Sequence, residues 1–113
     1  MFVGILRLTL HIPASRSLKD RRRVVRSFKD RLRAKLALAV AEIGGLDAHQ
    51  RAVLGVVAVS SEAAKVDELL SAAASLAAEL RDAVLVDRAL EIVPFGDEGK
   101  GVGAIKSNRA AVA

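Results

Sequence analysis

The sequence predicts one α+β domain, and three observations carry that reading. Residues 2 to 12 alternate between apolar and polar with a period of two. Two later segments repeat apolar residues at helical spacing behind serine caps, and three more apolar runs are bounded by turn residues. Taken in order, the elements run strand, helix, strand, strand, helix, strand. That order folds most simply into a four-stranded antiparallel sheet with both helices on one face, the ferredoxin-like arrangement. The chain's 113 residues suit a single domain. Hydrophobic residues make up 52% of it, but Phe2, Phe28 and Phe95 are the only aromatics, so the core must be built from Val, Leu, Ile and Ala.

In the first strand Leu6, Leu8, Leu10 and Ile12 share one side, while Arg7, Thr9 and His11 share the other. Pro13 ends the run, because it donates no ladder hydrogen bond and restricts its neighbour. Ser17, with Asp20 three residues on, reads as a capping-box start. Leu18, Val25, Phe28 and Leu32, with Val24 beside them, then form the apolar stripe of a helix reaching to about Lys35. A strand-like run from Leu36 to Ile43 ends at Gly44-Gly45. A short loop carries His49 and Gln50 to a valine-rich strand from Arg51 to Ser60, making an antiparallel hairpin. Ser60 and Ser61 are expected to cap the second helix, with Glu62 near the positive end of its dipole. Val66, Leu69, Leu70, Ala73, Leu76, Ala77 and Leu80 mark one face of that helix, expected from Glu62 to Arg81. A last strand is expected from Val84 to Val93, before Pro94. The domain is thus read as residues 1–95. Residues 96–113, rich in glycine and small residues without periodicity, are read as a disordered tail.

Composition removes several function classes. Without cysteine there is no disulfide framework, thiolate nucleophile or thiolate metal site. The longest apolar stretches, Leu36 to Ala41 and Ala52 to Val59, fall well short of the roughly 18–20 residues of a membrane-spanning helix. The first residues lack the basic region of a signal peptide, and a cytoplasmic location is the expectation.

The net charge of +5 hides a sharp asymmetry. Between Arg16 and Lys35 lie ten basic and two acidic residues, a local balance of +8, while the rest of the chain carries −3. Lys19, Arg22, Arg23, Arg26, Lys29 and Arg33 follow one another at three- and four-residue steps, away from the apolar stripe, with Arg21, Arg31 and Lys35 flanking it. At 1.5 Å per residue they form a cationic face about 20 Å long. Such a face attracts polyanions. Arginine, which predominates, suits bidentate contact with phosphate. These six residues are the candidate nucleic-acid contacts, with Arg7 and Arg51 as extensions. The plainer reading is a solvated helix surface that keeps the protein soluble.

The other candidates are weaker. The sheet face without helices offers Arg7, Thr9 and His11 from the first strand and Ala, Val and Gly from the third. It lacks an aromatic platform for stacking bases, and its apolar character fits burial in a homodimer. Glu42, Asp47 and His49 form the one acid and histidine cluster, at a spacing that matches no metal-site pattern. His11 reads as a half-exposed sheet residue. Gly99, Gly101 and Gly103 around Lys100 lack the strand and helix a phosphate-binding loop requires. No carboxylate pair is placed for acid–base work. No enzyme activity, metal or cofactor is expected.

Several segments also resemble a known family. Met1 to Leu8, His11-Ile12-Pro13 and Ser15 to Ser27 with its SLKDRRR run are similar to the bacterial YlxP-like proteins, a family of unknown function. Val40-Ala41-Glu42 and Asp47 to Gly55 with its HQRA run are similar to the same family's hairpin. The resemblance spans about residues 1–95 and implies a ferredoxin-like fold, with no established activity and no catalytic residues. Such proteins are often encoded beside translation-initiation and ribosome-maturation factors, which implies a role around the small ribosomal subunit or its RNA. The expected function is therefore a non-enzymatic accessory protein that contacts RNA or a ribosomal subunit through its basic first helix. The alternative is a dimerising assembly or regulatory module, with no membrane role in either case.

Overall fold

Alternating burial sets the first strand. In the computed structural model, which describes residues 1–45 and 48–96, β1 spans Phe2–His11, and Leu6, Leu8 and Leu10 are buried on its inner side. Helix α1 covers Leu18–Lys35, β2 Ala39–Gly44, β3 Arg51–Ser60, α2 Ala63–Ala78 and β4 Val84–Pro94. The strands form one antiparallel sheet in the order β2-β3-β1-β4. Helix α1 packs on β2 and the neighbouring part of β3, and α2 packs on β1, β3 and β4. This is the ferredoxin-like α+β fold, with the opposite sheet face left bare.

The start of α1 is chemically defined. The backbone N–H of Asp20 donates to Ser17 Oγ at 3.1 Å, while the Asp20 carboxylate accepts from the backbone N–H of Arg16 at 3.1 Å. One donor that the helix start leaves unpaired, the Asp20 N–H, is thus satisfied, and the carboxylate takes up the N–H of the residue before the cap. One core joins the two helices to the sheet: Val25, Phe28 and Leu32 from α1, Val66, Leu70 and Ala73 from α2, and Leu54 and Val56 from β3. Gly4 permits close approach on the α2 side, since a Cβ there would fall inside the side chains of Val66 and Leu70. Gly45 takes a φ of 73°, the left-handed turn that leaves β2.

Several boundaries differ from the sequence reading. Strand β2 begins at Ala39, because Leu36 caps α1 and, like Leu38, packs against the core from the connection. Helix α2 is shorter, ending at Ala78 with Glu79 as its C-cap. Its N-cap is Glu62 with no side-chain cap bond; Ser60 Oγ instead accepts from the backbone N–H of Glu62 at 3.1 Å. The stripe of α1 also shifts. Leu18 is exposed, and Arg21 takes the inner position one turn before Val25. Strand β4 runs one residue further, to Pro94, and bulges at Val86, where its register against β1 slips. Among the described residues no helix is long and apolar enough to cross a membrane. The tail from residue 97, with Gly99, Lys100, Gly101 and Gly103, lies outside the described residues.

Candidate nucleic-acid interface

The cations of α1 divide into three sets. The first is internal. Arg21 is 2% exposed; its Nε donates to the Arg51 carbonyl at 2.7 Å and its Nη2 to Glu42. Burial pushes the Arg21 guanidinium below the usual arginine range, and the neighbouring charge of Arg22 adds to the shift. This pair fastens α1 to the β2–β3 hairpin and takes both charges out of any role toward a ligand.

The second set faces outward. Lys19, Arg22, Arg23 and Arg26 are all exposed and share one outward face of the helix, together with Ser27, Asp30, Arg31 and Ala34. Among the described residues none of those four cations has a carboxylate within ion-pair distance. Asp30, the acid on that face, pairs weakly with Arg33 at 3.7 Å.

The third set, Lys29 and Arg33, lies on the flank toward β2. Arg33 is exposed but anchored, its Nη2 donating to the Val40 carbonyl at 3.1 Å on the edge strand. Lys29 is half-buried. Thus the six predicted residues do share one side of the helix. Four make a continuous ridge crest and two make its shoulder. Arg31 borders the same face and also lines a cleft with Glu79 and Asp82 near the end of α2. The two extensions do not join the ridge. Arg7 projects from the bare sheet face and pairs with Asp87 at 3.3 Å, and Arg51 occupies an outward position of β3.

The hairpin cluster separates in the same way. Glu42 belongs to Arg21, His49 is exposed, and Asp47 lies outside the described residues. His11 Nδ1 sits 3.1 Å from the Gln50 carbonyl, which also accepts from the Ile12 N–H at 2.9 Å. Gln50 was not singled out by the sequence, yet its side chain donates to the Pro13 and Ser15 carbonyls at 3.3 Å each. The SLKDRRR and HQRA segments are therefore brought together at the start of α1, where Arg21 and Gln50 clamp the ridge to the sheet. The signal for Arg21 was its spacing. Residues 21, 25, 28 and 32 fall on one helix face.

The family model for a protein of unknown function, DUF503, matches residues 3–89. The chain belongs to this family. No curated protein matches the DUF503 chain. Its distinguishing chemistry is accordingly read from its own residues, above all from the crest of α1.

Proposed function

We propose that this DUF503 protein is a non-enzymatic accessory factor, acting in the bacterial cytoplasm, that holds structured RNA or a ribosomal subunit by its phosphates. The observation that carries the reading is the crest of Lys19, Arg22, Arg23 and Arg26: exposed, continuous and without carboxylate partners among the described residues. That outward face carries five basic residues, with Arg31, against one acid, Asp30, an excess that solubility alone does not require. A row of one lysine and three arginines over about 10 Å is suited to successive phosphates, which bring counterion release as the driving term and little base preference. The outward positions of β1 and β3 hold no Phe, Tyr or Trp, so the sheet face lacks the paired aromatic platform that stacks single-stranded bases. The resemblance of the SLKDRRR and HQRA segments to YlxP-like proteins supports RNA over other polyanions.

The test is fluorescence anisotropy with a labelled hairpin of small-subunit ribosomal RNA. The triple substitution Arg22→Glu, Arg23→Glu and Arg26→Glu is expected to abolish binding while leaving the circular-dichroism spectrum unchanged, since all three side chains are exposed. Unchanged affinity in the triple variant would remove the proposal.

A further inference from the structure

The bare sheet face carries a second, independent feature. An antiparallel sheet open to water normally alternates apolar inside and polar outside. Here β3 is apolar on both sides over much of its length. Ile5 of β1, Val57 and Val59 of β3 and Ile43 of β2 are 46%, 38%, 58% and 57% exposed. They are contiguous. Ile5 is directly opposite Val57, Val59 is opposite Val3, and Ile43 leans over Gly55, whose missing side chain leaves it room. The charges on this face among the described residues are Arg7, Arg51, Asp87 and Glu91, which cancel, and Arg7 and Asp87 already pair with each other.

We infer that this face is the contact between two copies of the chain, packed sheet against sheet. Two molecules of net charge +5 repel, most strongly where α1 concentrates the excess. The neutral apolar face is where they meet without that cost, and an RNA finds no net positive charge on it. Its size also fits. Ten-residue strands at about 3.3 Å per residue, with neighbours about 4.8 Å apart, give roughly 500 Å² per copy after allowing for the shorter β2. That meets the roughly 1,000 Å² in total that a specific interface requires. A twofold contact of this kind is closed and makes a dimer.

The arrangement has a functional consequence, which rests on the RNA reading. Both helices lie on the side of the sheet away from the contact. The two α1 crests would therefore face in opposite directions, roughly 35–40 Å apart, allowing for two sheets about 10 Å apart and a helix layer on each. The dimer would hold two phosphate backbones at once.

Light scattering and sedimentation velocity on the full chain test the contact. The wild-type protein is expected to reach twice 11.9 kDa as its concentration rises, and to keep that mass at high salt. Val59→Asp and, separately, Ile43→Asp should return it to 11.9 kDa; both sites are more than half exposed, and circular dichroism checks that the variants stay folded. Val59→Asp should still bind an RNA hairpin with unchanged single-site affinity but lose the capacity to hold two. A wild-type chain that remains at 11.9 kDa throughout, or dimers that survive both substitutions, would overturn the inference. So would association that dissolves in salt, which would point to α1 lying against acidic surfaces. A dimer that binds no RNA would instead overturn the proposed function and leave the contact standing.

Discussion

Arg21 is the α1 cation that the fold keeps for itself. Its guanidinium is desolvated, and Glu42 and the Arg51 carbonyl satisfy it. Removing one partner strands the other, which for a buried pair costs about 3–5 kcal/mol, whereas replacing both with apolar groups is often near neutral. Glu42→Leu and Arg21→Met alone should therefore each destabilise the protein severely, and the double variant Arg21→Met, Glu42→Leu should recover most of the loss. Urea unfolding of the four proteins in a double-mutant cycle checks this; additive losses would contradict it. The pairing was partly legible in the sequence. Arg21 stands in helical register with Val25, Phe28 and Leu32, and Glu42 shares the inward parity of Val40 on β2. Hydrophobicity patterning alone weighs an arginine as surface, and so it assigns Leu18 the inner place that Arg21 holds. A search for opposite charges at two inward positions would have found the pair.

At the level of elements, what the sequence shows clearly is where local chemistry punctuates the chain. Pro13, Ser17 and the Gly44-Gly45 pair mark the ends of β1, α1 and β2, and the valine run of β3 was read to its observed bounds. Boundaries set by tertiary packing were not legible. Leu36 and Leu38 look like strand residues because they are apolar, but they use that character to fill the core from a connection. The last turn expected of α2, to Arg81, gives way to the cap at Glu79. The role of Gly4 was equally hidden, because only the packed structure reveals that α2 needs the space. Gly4→Val should cost about 1–3 kcal/mol or more, as overpacking forces Val66 and Leu70 aside. Thermal unfolding should record a large drop in Tm. A variant as stable as the wild type would mean that α2 can shift freely over β1.

For the whole molecule, the controlling fact is a separation of surfaces. One helix gathers the positive charge and points it outward, while the opposite face is apolar and electrically neutral. The charge asymmetry was plain in the sequence, as was the common side of the six cations; their division into an internal anchor, a crest and a shoulder was not, since it depends on where β2 and Glu42 lie. Phosphate binding by such a crest has a thermodynamic signature that a solvated surface lacks. The logarithm of the RNA association constant should fall linearly with the logarithm of salt concentration, with a slope near −0.7 to −0.9 for each phosphate neutralised, hence about −3 to −5 for four to six contacts. Measuring that slope for the wild-type chain and for Arg26→Ala tests the central claim most directly. The account predicts a steep slope in the wild type that becomes shallower by somewhat less than one in the variant; a flat salt dependence, or one that Arg26→Ala leaves untouched, would contradict it.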